Sequence, residues 1–141
     1  MSEKSFRQFT AELSVLVDIR RYVEGSVAGS GIGDSALADV IQAVDESAAN
    51  IIVHGYRGEP GTIDVEVTRG DAWLTVCLRD RAPLFDPTRL PDPDLTLPLD
   101  QRPMGGMGVY LTRRLTDEMI YRVTPEGGNE LTLRKRLMAH G

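Results

Sequence analysis

The sequence predicts an α+β fold, a two-layer sandwich with three main helices on one face of a mixed, largely antiparallel five-stranded sheet. Two observations support this prediction. Strand-like segments come in adjacent pairs along the chain, and helical patterns precede each pair. Strands adjacent in sequence favour antiparallel pairing, which leaves one face of the sheet for helices to cover. At 141 residues the chain is expected to form one domain, residues 1–141, with its own core.

The N-terminal segment predicts a short strand and then a first helix. Residues 6–10 alternate between apolar and polar side chains. A helical pattern follows from Ala11, and its inward-facing residues are expected to be Leu13, Leu16, Val17, Val23 and Val27. Glycines at positions 29, 31 and 33 end this helix.

A second, longer helix is predicted from Asp34 or Ser35 to about residue 55. Its apolar stripe faces the core and consists of Leu37, Val40, Ile41, Val44, Ala48, Ile51 and Gly55. Glu46, Asn50 and His54 are each four residues apart, so α-helical geometry places them on one other face. Small apolar neighbours on that face indicate that something closes over it. The alternative is that these are surface residues, with His54 as a helix-end cap.

A hairpin follows, with strands predicted over residues 62–68 and 73–80. The second strand turns Leu74, Val76 and Leu78 to one face, and Asp80 continues that face by the period-two rule. A carboxylate that completes an apolar row needs a hydrogen-bond donor. A backbone or arginine partner and a ligand amine both remain open. The single cysteine, Cys77, is interpreted as a small core residue.

Residues 81–104 contain six prolines and little periodicity. A loop of this length in a small domain is usually functional or disordered. The glycines at 105, 106 and 108 then lead into a third helix, and glycines at a helix start let backbone N–H groups approach an anion. Strands predicted over residues 118–124 and 131–137 complete the sheet.

Composition narrows the function classes. The net charge of −5 argues against a nucleic-acid-binding surface. The N-terminus shows no signal-peptide pattern, and no apolar run is long enough to cross a bilayer. We therefore expect a cytoplasmic protein without direct nucleic-acid or membrane binding.

The motifs together resemble a known superfamily. They are Glu46…Asn50…His54-Gly55-Tyr56, then Asp80, then Phe85-Asp86-Pro87, then Gly105-Gly106-Met107-Gly108. This set resembles the nucleotide-binding boxes of the gyrase, Hsp90, histidine kinase and MutL superfamily. The His-Gly-Tyr ending and the run Thr116-Asp117-Glu118-Met119 narrow the resemblance to the anti-sigma-factor serine kinases of bacterial partner-switching systems. The resemblance extends from about residue 6 to residue 137.

The resemblance implies a Bergerat-type ATP-binding fold with ATP and Mg²⁺ as its ligands. In that family an aspartate at the place of Asp80 accepts from the adenine amino group. Asn50 is expected to offer an oxygen to Mg²⁺, and amides around Gly105, Gly106 and Gly108 are expected to contact phosphates. Residues 81–104 are expected to form a lid over the nucleotide.

Four further side chains have more open roles. Glu46 is the expected catalytic residue, which would accept a proton from an incoming hydroxyl or orient that hydroxyl. His54 could support a phosphate or the water shell of Mg²⁺, or it could be structural. Arg89 and Arg102 could reach phosphate oxygens or could be solvated lid charges.

The sequence departs from the family at one motif. The family usually carries an Asp-x-Gly-x-Gly signature, whereas this chain reads Asp80-Arg81-Ala82-Pro83-Leu84 and lacks both glycines. The methyl group of Ala82 is small, so nucleotide binding is expected to survive with altered affinity. Pro83 stiffens the entry to the lid.

The resemblance implies an ATP-dependent protein serine/threonine kinase that regulates transcription. It would phosphorylate a serine of a small anti-sigma antagonist and so control release of a sigma factor, and a homodimer is expected. The alternative is a non-catalytic, nucleotide-responsive binding module that works by partner exchange. A histidine kinase catalytic domain is disfavoured, because a single domain is expected to leave no second one for a phospho-accepting histidine, unless that histidine is supplied in trans. A plain nucleotide hydrolase, with a water placed by Glu46, is a further alternative.

Overall fold

The computed structural model describes residues 2–101 and 106–137. Its sheet has five strands: β1 (Glu3–Thr10), β2 (Thr62–Arg69), β3 (Trp73–Asp80), β4 (Glu118–Val123) and β5 (Asn129–Arg136). Their order across the sheet is β1-β2-β3-β5-β4. The α+β prediction with five strands is confirmed. All four pairings are antiparallel, so the sheet has no parallel pair within the described residues, where we had expected a mixed one.

Three helices accompany the sheet: α1 (Leu16–Ser26), α2 (Asp34–Asn50) and α3 (Gly106–Leu115). A 3₁₀ turn, Leu13–Val15, precedes α1. The long helix starts at Asp34, as predicted, but it does not stay α-helical to its end. Its last turn, Ile51–Tyr56, is a π-helix, and such turns are frequent at functional sites.

The core lies between the helices and one face of the sheet. The predicted stripe is confirmed from Leu37 to Ile51, since Val40, Val44 and Ala48 are buried while Leu37, Ile41 and Ile51 pack against the core. Its last predicted member, Gly55, lies in the π-helical turn. The sheet contributes Phe9, Ile63, Val65, Val67, Leu74, Val76, Leu78, Leu131 and Leu133. Burying these apolar side chains provides the main stabilisation of the fold.

The prediction for the first helix was partly wrong. Leu13 and Val17 were expected to face inward but are 57% and 47% exposed. A 3₁₀ turn, with three residues per turn, precedes the α-helix. The side chains that follow therefore point in other directions than they would in an α-helix that began at Ala11. Ile19 and Val23 therefore carry the buried face of α1.

The opposite face of the sheet carries a row of ion pairs. Arg79 lies 3.2 Å from Glu66 and 2.7 Å from Glu130, and Arg122 also pairs with Glu130. Arg122 and then Arg79 hold the pKa of the Glu130 carboxyl below its usual value. Because these charges satisfy one another across the strands, we assign this row a structural role. Among the described helices, none is both long and apolar enough to cross a membrane.

Candidate functional site

The packing of α3 against α2 brings Glu46 and Asn50 to the glycine-rich start of α3. A Cβ atom built on Gly108 would lie 3.0 Å from Oε2 of Glu46 and 3.2 Å from Nδ2 of Asn50. Only glycine fits at this position without moving its neighbours. The structure thus places a carboxylate and a carboxamide against backbone at the N-terminal turn of a helix, where the helix dipole favours anions.

A buried polar contact fixes how the two helices meet. The hydroxyl groups of Ser47 and Thr112 are 3.4 Å apart, and Thr112 also donates to the carbonyl oxygen of Gly108, at 2.9 Å. Ser47 and the neighbouring Ala43 are buried. The expected cover therefore lies over Ala43, whereas Val53, on the same predicted face, is 44% exposed.

Glu46 and Asn50 are partly exposed. Within residues 2–101 and 106–137, neither side chain takes part in a hydrogen bond or ion pair. Their polar atoms are therefore available to a ligand at the start of α3.

The crowding at Gly108 gives a first prediction on stability. Gly106 has open space around its Cβ position, so Gly106→Ala should stabilise the protein by up to about 1 kcal/mol through helix propensity. Gly108→Ala should be less stable than Gly106→Ala by about 1 kcal/mol, because its methyl group has to push aside the ends of the Glu46 and Asn50 side chains. Urea unfolding of the two matched variants measures the difference. Equal stabilities would show that the two side chains do not pack against Gly108.

Asp80 occupies the end of β3 and is 7% exposed. Its Oδ1 accepts from Nδ2 of Asn129, at 2.8 Å, and from the backbone N–H of Ala82, at 2.9 Å. Burial raises the pKa of this carboxyl, and the two hydrogen bonds oppose that shift. Both bonds end at Oδ1, so within the described residues Oδ2 is the oxygen left for a ligand donor. Of the two protein partners considered for Asp80 from the sequence, the backbone donor is present, in Ala82. No arginine donor to Asp80 occurs among the described residues.

The end of the long helix is fastened beside Asp80. The hydroxyl of Tyr56 donates to the carbonyl oxygen of Thr62, at 2.7 Å, and accepts from the N–H of Arg81, at 2.8 Å. A Cβ on Gly55 would lie 3.1 Å from Cβ of Ala82. Asn50 precedes this π-helical turn directly, so the helix end, the end of β3 and the start of α3 lie at one end of the molecule.

The described part of the predicted lid, residues 81–101, has only two short 3₁₀ turns, Pro87–Arg89 and Leu99–Gln101. Its first half is attached to α3, because Arg113 pairs with Asp92, at 2.6 Å, and donates to the carbonyl oxygen of Leu90, at 3.0 Å. Arg89 is 3.5 Å from Asp86, and its side chain is 88% exposed. No long helix or strand was predicted here, and none occurs in these residues.

Of the other predicted site residues, His54 and Gly106 lie within the described residues. His54 is exposed in the π-helical turn, where the four-residue spacing of an α-helix no longer holds. Its role stays a prediction. Arg102 and Gly105 lie outside the described residues. Gly106 begins α3, two residues before Gly108.

No role was predicted for Asn129 from the sequence. It precedes the strand predicted over residues 131–137, but it is the first residue of β5 and is buried against Asp80. A polar residue directly after two glycines gave no distinguishing signal in the sequence. Only the pairing of β3 with β5, which sets Asp80 opposite Asn129, shows its importance.

The arrangement fits a nucleotide held with a divalent cation. A carboxamide oxygen is a suitable uncharged ligand for Mg²⁺, and the bound ion keeps several of its waters. The backbone at Gly108 lies next to the side chains of Glu46 and Asn50. Asp80, at the end of β3, offers a hydrogen-bond acceptor. A cleft of about 330 Å³ lies beside α1, and a second of about 420 Å³ lies on the ion-paired face and includes Asp80 in its lining; neither is lined by Glu46 or Asn50.

Comparison with protein families and curated sequences identifies relatives of the chain. Residues 9–135 match the family model of the histidine kinase-like ATPase domain. The serine-protein kinase RsbW of Bacillus cereus (strain AH187) is 25% identical over 121 residues, which are 83% of this chain and 76% of the relative. Proteins of the same name from Bacillus anthracis and from Bacillus thuringiensis (strain Al Hakam) show the same identity and coverage.

A solved structure matches the fold. It is a crystal structure of the RsbU and RsbW domains of a Mycobacterium tuberculosis protein, with a TM-score of 0.69 and 20% sequence identity. The match covers 99% of this chain and 34% of the other chain, so this chain spans about a third of the crystallised one.

Proposed function

Because this chain belongs to the histidine kinase-like ATPase domain family, as its motifs predicted, we propose that it is an ATP-dependent protein serine kinase. Its substrate is a serine of a small anti-sigma antagonist, and phosphorylation of that serine controls the release of a sigma factor. The observation that carries the proposal is the contact of Glu46 and Asn50 with Gly108 at the start of α3. The similarity to the RsbW serine-protein kinases supports it.

Asp80 is proposed to recognise the base. Its Oδ1 is occupied by Asn129 and Ala82, so Oδ2 accepts from the exocyclic amino group of adenine. A keto oxygen at that place would face a carboxylate and be repelled. Asp80 therefore selects ATP over GTP.

Asn50 and the start of α3 are proposed to hold the phosphates and their metal. Bound ATP supplies the phosphoryl group, and Mg²⁺ neutralises charge on the phosphates. Asn50 offers its Oδ1 to the metal, and the backbone N–H groups from Gly106 onward face the phosphate oxygens. Gly108 has to be glycine here so that the helix start can lie close to Asn50.

Glu46 is proposed as the catalytic residue. It lies one helical turn before Asn50, beside the same glycine. Its carboxylate accepts the proton of the incoming serine hydroxyl while the serine oxygen bonds to the γ-phosphorus and the bond to the β-phosphate oxygen breaks. The products are ADP and phosphoserine, and the proton stays on Glu46 until it passes to solvent.

A non-catalytic module is the second candidate function. It is favoured by Ala82 and Pro83, which stand where the family usually has a flexible, glycine-containing segment. In that case nucleotide would change the partner without phosphoryl transfer. The presence of Glu46 beside the glycine-rich start of α3 favours the kinase.

The metal role of Asn50 is tested by binding. The unmodified chain should bind ATP about tenfold or more tightly with Mg²⁺ than without it, a free-energy difference of at least about 1.4 kcal/mol. Asn50→Ala should lose that dependence, because the cation loses its protein ligand. Isothermal titration calorimetry measures both.

The matched control is Gln42→Ala, which removes an exposed carboxamide from the same helix. It should keep the full Mg²⁺ dependence. If Asn50→Ala binds ATP with the same Mg²⁺ dependence as the unmodified chain, Asn50 is not the metal ligand.

A further inference from the structure

The carboxamide of Asn129 contacts several parts of the chain at once. Nδ2 donates to Oδ1 of Asp80, at 2.8 Å, and to the carbonyl oxygen of Ala82, at 3.2 Å. Oδ1 accepts from the N–H of Phe85, at 3.0 Å, and from the hydroxyl of Tyr121, at 2.5 Å. Asn129 is 6% exposed, so these bonds form in a largely water-free environment. Such bonds are costly to leave unmade.

The sheet register fixes this arrangement. Asn129 lies directly opposite Asp80 in the β3–β5 pair. The preceding residue, Gly128, passes so close to β3 that a Cβ on it would lie 2.4 Å from the carbonyl oxygen of Asp80. Asn129 is therefore held at a short, fixed distance from the carboxylate.

The side chain of Asn129 also bonds to the backbone of the segment that follows Asp80. Residues 82–85 lack the glycines that the family signature carries, and their backbone is bonded to Asn129 at Ala82 and Phe85. We propose that Asn129 is a positioning residue for base recognition. It orients the Asp80 carboxylate through Oδ1, which leaves Oδ2 for the base, and it fixes the path of residues 82–85. This inference rests on the proposed adenine site.

A carboxamide is suited to this place because it donates and accepts at the same time. An aspartate at position 129 would accept from Phe85 and Tyr121 but would set a second carboxylate against Asp80. Alanine would leave Asp80 with one hydrogen bond fewer and the Phe85 N–H without its acceptor.

The test compares Asn129→Ala with Tyr121→Phe. Asn129→Ala should lower the preference for ATP over GTP about two- to twelvefold, the value of one hydrogen bond of about 0.5–1.5 kcal/mol. Tyr121→Phe removes one donor to Asn129 but leaves the Asp80 contact, so it should keep the preference. Calorimetric titration with ATP and with GTP gives both ratios. Hydrogen exchange of the Phe85 amide should accelerate in Asn129→Ala alone.

Asn129→Asp keeps the shape of the side chain and adds a readout that a purely structural role would not change. The ATP preference of this variant should be lost at high pH and return as the pH falls, because a proton shared between the two carboxyl groups replaces the amide donor. The unmodified chain should not show this return. Tyr121 and Asp86 also lie near this pair, and both are present in the unmodified chain, which serves as the control.

The outcomes separate this inference from the proposed function. Equal binding of ATP and GTP by the unmodified chain would overturn the adenine site and the role of Asn129 together. A preference for ATP that persists in Asn129→Ala and in Asn129→Asp at every pH would overturn the role of Asn129 alone. Loss in Asn129→Ala, with recovery of Asn129→Asp at low pH, supports it.

Discussion

Glu46→Gln should lower the rate of phosphoryl transfer about a hundred- to ten-thousandfold, the usual cost of removing a general base. Glutamine has nearly the same shape as glutamate, so it keeps the packing against Gly108 but cannot take up a proton. ATP–Mg²⁺ binding should therefore change little. Single-turnover transfer of the labelled γ-phosphate measures the rate, and calorimetry measures the binding.

Asp45→Asn is the matched control for this variant. It removes the neighbouring carboxylate on the same helix, which lies 3.5 Å from Arg20 and has no proposed role in transfer. Its transfer rate should stay close to that of the unmodified chain. A Glu46→Gln protein that transfers phosphate at the unmodified rate would remove Glu46 from the mechanism.

Asp80→Asn should remove most of the preference for ATP over GTP. A hydrogen bond to a charged acceptor is worth roughly 1.5–3 kcal/mol, or about ten- to a hundredfold in affinity. The asparagine oxygen can still accept from Asn129 and Ala82, but its amide group donates where the carboxylate accepted. Competition between the two nucleotides in calorimetry measures the ratio.

The same substitution should also change the pH dependence of stability. Burial raises the pKa of Asp80, so the folded state holds this proton more tightly than the unfolded state does. The free energy of unfolding therefore falls as the pH rises from the ordinary aspartate range through the raised pKa. Asp80→Asn should lack this decrease and be no less stable at neutral pH. Asp64→Asn, on β2, should keep both the decrease and the ATP preference.

Much of the fold follows from periodicity in the sequence. Alternation in the hairpin predicted β3 with its observed bounds, Trp73–Asp80, because its inward row is continuous up to the buried carboxylate. The apolar stripe at helical spacing predicted the buried face of α2, because its apolar residues recur along one side of the helix. The approach of Glu46 and Asn50 to the glycine-rich stretch was expected from the motifs, and the structure brings these residues together.

The features that were missed depend on contacts rather than on local pattern. The π-helical turn after Asn50 is held by Tyr56, whose hydroxyl bonds to the backbone of Thr62, at the start of β2, and of Arg81, directly after β3. A 3.6-residue period cannot predict these contacts. His54 was placed on the face of Glu46 and Asn50 by α-helical spacing, which does not apply in a π-helical turn. Asn129 acquires its role only through the register between β3 and β5, which brings it to Asp80 from a distant part of the chain.

The central claim is that this chain transfers phosphate to a protein serine. The most direct measurement is to incubate the unmodified chain with Mg²⁺, γ-labelled ATP and the small antagonist-type proteins encoded beside it, and then to locate the label. We expect label on a serine of one antagonist and its loss with Glu46→Gln. If the unmodified chain binds ATP and exchanges partners with nucleotide state, yet leaves no label on any serine, the chain is a nucleotide-responsive binding module and not a kinase.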